Sequence, residues 1–124
     1  MGRIEDGKPY RWGQVYAALL AVKGLAESGR VEPVPERRLR AAAGRPLGEF
    51  EALLPHLGLQ ILAARQKGGA VAGATATAAG DVARFMPPER MSWSGLGPSE
   101  TAGFQQGYEE RIAAYRREWE ALVR

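Results

Sequence analysis

The amino-acid sequence predicts an all-α fold, a single-domain bundle of four or five helices, and three observations support that prediction. Apolar residues recur at spacings of three and four along most of the chain, and no segment shows the two-residue alternation of a strand. Proline and glycine fall where they can begin and end helices. A chain of 124 residues with 45% hydrophobic and 25% charged residues suits one compact domain over residues 1–124.

The first helix is predicted over Tyr10 to Ala26, where bulky apolar side chains keep a helical spacing. Pro9 suits its first turn, because a proline there removes a backbone donor that has no partner inside the helix. Ser28 and Gly29 form a stop signal. The sequence therefore indicates a helix of four to five turns at this position.

The second helix is predicted to be short and strongly basic. Pro33 and Pro35 bracket an extended connector before it, because the residue preceding a proline disfavours helical geometry. Pro35 can also open the helix, which is predicted to continue to Ala43 and to be capped by Gly44.

The third helical pattern begins at Pro46 and has a broad apolar face. The apolar residues of that face are Leu47, Phe50, Leu53, Leu54, Leu57, Ile61 and Leu62. Pro55 interrupts the pattern, and an internal proline both removes a hydrogen bond and clashes with the preceding turn. We therefore expect a kink or a break near Leu54, with helix resuming to about Lys67.

The segment over about residues 68–80 consists almost entirely of glycine, alanine and threonine. Such side chains bury little surface for each residue ordered, so the segment is predicted to be flexible, either a mobile loop or a weak helix. One further helical turn is predicted over residues 81–85, and a turn-rich segment over residues 92–98.

The closing helix is predicted from Ser99, as its N-cap, to Arg124. Its apolar face consists of Phe104, Tyr108, Ile112, Tyr115, Trp119 and Leu122. We expect the first three of these to complete the core of the chain and the last three to extend toward a neighbouring protein. Gly107 inside the helix costs about 1 kcal/mol relative to alanine, which indicates close backbone packing at that turn.

Composition and motif content exclude several classes of function. The chain has no cysteine, so disulfides, thiolate metal sites and cysteine nucleophiles are excluded. No apolar run is long enough to span a membrane, and we predict a soluble, cytoplasmic protein. His56 is the only histidine, without the partners of a catalytic triad or a zinc site. The chain is therefore predicted not to be an enzyme and to hold no metal or cofactor.

Basic residues are concentrated in the middle of the chain. Net charge is +3, and 14 of the 17 basic residues are arginines, which bind phosphate bidentately. Six of them lie between positions 37 and 67, against two acidic residues. These six are Arg37, Arg38, Arg40, Arg45, Arg65 and Lys67. Clustered charge of this kind is typical of a surface that binds the phosphate backbone of nucleic acid, and equally of a solvated helix face.

Three segments carry a resemblance to a known family. The sequence Phe104-Gln105-Gln106-Gly107-Tyr108 resembles the Phe-x-x-Gly-Tyr motif at the C-terminus of the large subunit of type I-C CRISPR effector complexes. The segments 10–19 and 43–53 are similar, in the same order, to two further patterns of that helical region. Glu109 and Glu110 depart from the family, which tends to carry an aromatic residue and a glutamine there.

This resemblance implies a free-standing, Cas11-like small subunit of a type I-C-like or type IV complex. Such a subunit is noncatalytic, stacks with further copies of itself along the guide RNA filament, and contacts guide RNA and target nucleic acid nonspecifically. Its expected partners are the backbone and large subunits of the complex. Two alternatives stay open: a protein-interaction module whose aromatic C-terminal helix docks a partner, and a small DNA-binding regulator that reads a groove with residues 37–40.

Overall fold

The computed structural model describes residues 8–87 and 98–122, and within these ranges the chain is helical with no β-strand. The predicted all-α fold is confirmed. There are six α-helices: α1 Lys8–Glu27, α2 Glu36–Gly44, α3 Pro46–Leu53, α4 Leu57–Gln66, α5 Gly69–Phe85 and α6 Pro98–Glu118. Two 3-10 turns lie at Leu54–His56 and Glu120–Leu122. Since the first of these turns joins α3 to α4 through helical backbone, the two form one rod, and the bundle has five rods.

α1 is the central helix, packed against α6, α5 and α4. Every residue from Gly13 to Val22 is buried, so the helix has no solvent face. A helix that is apolar on all sides must be surrounded by other elements. α6 runs beside it in the same direction. Gly107 meets Tyr10 near the start of α1, and the carbonyl of Leu122 accepts a hydrogen bond of 2.7 Å from the N–H of Val31, just beyond its end.

Two glycines allow α1 and α6 to approach closely. A Cβ atom added at Gly107 would overlap the carbonyl oxygen of Tyr10, and one added at Gly13 would overlap that of Phe104. The close packing predicted at Gly107 is therefore confirmed. Beside this crossing, the ring of Tyr16 lies 5.6 Å from that of Phe104, at a tilted angle favourable for aromatic rings.

The glycine- and alanine-rich segment forms a regular helix. Of the two forms that its composition left open, the structure has the helix, and residues 81–85 continue it as the last turn of α5 rather than forming a separate one. Its buried residues are small or medium-sized: Ala74, Thr75, Ala78, Asp81 and Val82. These side chains let α5 lie close to α1. The predicted turns over residues 92–97 lie outside the described residues.

The interruption predicted at Pro55 is confirmed, because the helix narrows to a 3-10 turn over Leu54–His56. The predicted core face of the third helix is partly wrong. Leu54 and Leu62 are 38% and 54% exposed, and Leu59 is 73% exposed. The reason is geometric: α4 touches α1 and α5 along one narrow face, on which Ala64 is the buried residue.

The closing helix differs from its prediction at both ends. α6 begins at Pro98, so Ser99 lies inside its first turn and is not the N-cap. The α-helix ends at Glu118, and Arg124 lies outside the described residues. Tyr115 does not extend toward a neighbouring protein: its side chain is fully buried in the core of the chain.

A buried polar contact fixes Tyr115. Its hydroxyl donates a hydrogen bond of 2.7 Å to Oδ2 of Asp81 on α5, and its ring stacks on Trp119 at 4.6 Å. The other carboxylate oxygen of Asp81 lies 3.5 Å from Nε of Arg84. Since Asp81 is only 7% exposed, the hydroxyl of Tyr115 supplies a partner that water cannot fully replace.

Replacing Tyr115 by phenylalanine is expected to lower the free energy of unfolding by about 1 to 3 kcal/mol, because a buried carboxylate oxygen loses its partner. Tyr16→Phe is the matched control, since the hydroxyl of Tyr16 is buried without a hydrogen bond. Its removal is expected to be neutral or slightly stabilising. Urea unfolding followed by circular dichroism measures both, and equal losses in the two variants would contradict this assignment.

Candidate nucleic-acid interface

All six predicted basic residues are exposed. Arg37, Arg38 and Arg40 lie on α2, and Arg45 directly follows that helix. The sequence of α2 explains this placement, because its buried residues Leu39, Ala42 and Ala43 occupy one side and leave the arginines on the other. We call these four arginines the α2 group.

Arg65 and Lys67 form a second group, which we call the α4 group. Arg65 lies in the last turn of α4, and Lys67 is the residue that caps that helix. A cation at this position also interacts favourably with the negative end of the helix dipole. The stem of Lys67 passes close to Gly29, which follows α1, since a Cβ atom at Gly29 would lie 4.0 Å from Cδ of Lys67.

The six residues lie on two parts of the bundle. α2 packs mainly on α6 and α3, whereas α4 packs mainly on α1 and α5. The α2 group and the α4 group therefore lie on elements with different neighbours. A nucleic-acid strand that engaged both groups would have to cross more than one helix of the bundle.

Two arginines of the α2 group are paired with carboxylates. Arg40 lies 2.8 Å from Glu36 on the same helix, and Arg38 lies 3.9 Å from Glu49 on α3. Exposed pairs of this kind contribute little to stability, so a phosphate can compete for the guanidinium. Among residues 8–87 and 98–122, the remaining members of the two groups, Arg37, Arg45, Arg65 and Lys67, have no ion pair.

Two acidic residues, Glu36 and Glu49, belong to this surface and were not predicted, nor was the buried tyrosine below it. The i, i+4 spacing of Glu36 and Arg40 could have indicated their pairing, but no sequence signal connects Glu49 with Arg38. Tyr16 of α1 lies beneath them. Burial raises the pKa of its hydroxyl, and Glu49 adds to that effect. The guanidinium of Arg38 opposes the shift without reaching the geometry of a hydrogen bond to the hydroxyl.

Comparison with family models, with curated proteins and with solved structures gives no match. In the part of the chain that the structure describes, no three His, Asp or Glu side chains are grouped so as to hold a metal ion. His56, in its 3-10 turn, is exposed. Nor is any helix there long and apolar enough to cross a membrane. What the two basic groups can do chemically is attract and bind anions.

Proposed function

We propose that this chain is a noncatalytic small subunit of a CRISPR effector ribonucleoprotein complex, Cas11-like and of a type I-C-like or type IV system, which binds the nucleic-acid backbone nonspecifically. One observation supports the binding role above others. Four exposed cations, Arg37, Arg45, Arg65 and Lys67, have no carboxylate partner among the described residues. Exposed cations without a carboxylate partner are the groups that release counterions when a phosphate binds.

The binding mechanism in this proposal is electrostatic. The arginines hold phosphate oxygens through their guanidinium groups, and Lys67 contributes a mobile charge. No base is read, because phosphate contacts position a protein on nucleic acid without carrying sequence information. In the complex, the chain would work in the cytoplasm beside the backbone and large subunits, with further copies of itself, on guide RNA and target strands.

The alternative role is a module that docks a partner through its aromatic C-terminal helix. One of the residues proposed for that contact, Tyr115, is not available. Tyr115 is enclosed by the chain's own helices and hydrogen-bonded to Asp81. Trp119 and Leu122 are half-buried against the same core. A groove-reading α2 is favoured by no observation, since this helix has nine residues and packs against α6 and α3.

The salt dependence of binding tests the proposal. If six phosphates are engaged, the logarithm of the association constant should fall against the logarithm of salt concentration with a slope of about −4 to −5. The triple variant R37A/R38A/R40A should reduce the steepness by about 2 to 3 and weaken binding at every salt concentration. Gel-shift or anisotropy titrations with single- and double-stranded nucleic acid measure both quantities.

A charge-matched control is available on other surfaces. The variant K8A/K23A/R117A also removes three positive charges, but none from the two basic groups. It should leave the slope close to that of the parent chain. A flat salt response of the parent, or equal losses in the two triple variants, would overturn the nucleic-acid role. Co-expression with the genomic neighbours, followed by purification, tests the wider assignment: a guide RNA and effector subunits should copurify.

A further inference from the structure

The outer face of the α3–α4 rod has an exposed apolar stripe that the proposed nucleic-acid role does not use. Leu59 and Leu62 at its centre are 73% and 54% exposed. Five exposed residues follow one another at spacings of three, four, three and four. They are Ala52, Pro55, Leu59, Leu62 and Gln66. This alternating spacing is the seam with which a helix packs against another helix in a coiled coil.

Two charges border the stripe symmetrically. Glu51 and Arg65 each lie seven residues from Gly58, and both precede a residue of the stripe by one position. Their separation of fourteen positions is close to four helical turns, so both side chains leave the rod on the same side. Both are exposed, and neither forms an ion pair within residues 8–87 and 98–122.

We propose that the stripe binds the same stripe of a second copy of this chain, with the two rods antiparallel about a two-fold axis near Gly58. In this arrangement Glu51 of each copy lies opposite Arg65 of the other, so both ion pairs form at once. A parallel arrangement would place Glu51 opposite His56 and leave Arg65 without a carboxylate. Charge complementarity therefore selects a second copy and its direction.

Small residues beside Leu59 and Leu62 permit the two rods of the proposed dimer to approach each other closely. A Cβ atom built at Gly58 would meet nothing within 4 Å, and Ala63 on the opposite border of the stripe is also exposed. The stripe is about four turns long, roughly 22 Å. A contact of this length lies at the small end of specific interfaces, so the dissociation constant is expected in the micromolar range.

Sedimentation velocity of the purified chain without nucleic acid tests the inference. Across the micromolar range, the parent chain should shift from monomer to dimer. Leu59→Glu should abolish the shift and still give the circular dichroism spectrum of the parent, because this side chain is mostly solvated in the monomer. Ala76→Glu, an equally charged change on the exposed side of α5, is the matched control and should dimerise normally.

A charge exchange tests the direction of the rods. Glu51→Arg and Arg65→Glu should each weaken dimerisation about tenfold or more, because each places like charges opposite one another. The double variant E51R/R65E should restore the affinity of the parent. A parent chain that stays monomeric, a dimer that persists in Leu59→Glu, or a double variant no better than the single ones would overturn the proposal. Arg65 is shared with the proposed phosphate-binding surface, but since no nucleic acid is present, failure of this test is distinguishable from failure of the salt-dependence test.

Discussion

Replacing Gly13 or Gly107 by alanine is expected to lower the free energy of unfolding by about 3 kcal/mol or more, at the upper end of the cost of overpacking. The added methyl group would overlap a backbone carbonyl of the facing helix in each case, Phe104 for the first glycine and Tyr10 for the second. A side chain could rotate away, but a helical backbone cannot. The two helices must therefore separate, and the aromatic contacts of Tyr16 with α6 weaken with them.

The same substitution elsewhere in the chain should raise the free energy of unfolding instead of lowering it. Gly73 and Gly80 lie inside α5, on its exposed side, and a Cβ atom at either would meet nothing within 4 Å. Alanine there is expected to stabilise the protein by up to about 1 kcal/mol, the difference in helix propensity. Urea unfolding of all four variants compares the two sites directly. A loss at Gly107 no larger than the change at Gly73 would contradict close packing of α1 on α6.

Raising the pH above about 10 is expected to unfold the protein steeply. Burial raises the pKa of the hydroxyl groups of Tyr16, Tyr108 and Tyr115, and that of Tyr108 reaches about 12. For Tyr115, the hydrogen bond to Asp81 and the negative charge of Asp81 add to the increase. The folded chain therefore keeps protons that the unfolded chain, with an ordinary tyrosine pKa of about 10, has lost.

The direction in which stability changes with pH follows from proton linkage. Stability from these hydroxyls is complete below about pH 10 and is lost as the pH rises toward the folded-state values. For Tyr108 the loss approaches about 3 kcal/mol by pH 12, and Tyr16 and Tyr115 change stability in the same direction.

Urea midpoints at pH 8, 10 and 11, together with a phenolate absorbance titration, measure this effect. Tyr108→Phe should make the loss of stability with rising pH less steep. The variant loses the hydrogen bond of 2.8 Å that the Tyr108 hydroxyl accepts from the N–H of Val34. It is therefore expected to be less stable than the parent chain already at pH 8. Stability that stayed constant between pH 8 and 11 would show that the three hydroxyls are accessible to water.

Much of the fold could be predicted from local signals. The span of α1 follows from its apolar spacing between Pro9 and Gly29. The interruption at Pro55 follows from the backbone donor that proline lacks, and the close approach at Gly107 from the side chain that glycine lacks. The form of α5 was left open, because its glycines weaken the helix and its small side chains bury little surface for each residue ordered. Sequence spacing does not show the helix against which they pack. Leu54 and Leu62 were misassigned to the predicted apolar face, because spacing alone does not show whether an apolar residue faces the core or a second protein.

The sequence predicted which basic residues are exposed, but not how the fold arranges them. Exposure of the six cations follows from their residue type and from the buried residues that alternate with them on α2. Their division into two groups depends on which helices α2 and α4 contact, a long-range property of the fold. The pairing of Arg38 with Glu49 depends on the angle between α2 and α3, for which the spacing of eleven positions gives no information.

The position of α6 beside α1 also has a consequence for synthesis of the protein. Ribosomes make α1 well before α6, yet α6 covers the side of α1 that includes Gly13 and Tyr16. During translation that apolar side stays open to other chains until the last described helix has left the ribosome. Contacts between elements so distant in sequence also slow folding for a helical protein. The nascent chain is therefore expected to be more exposed to aggregation than the folded protein.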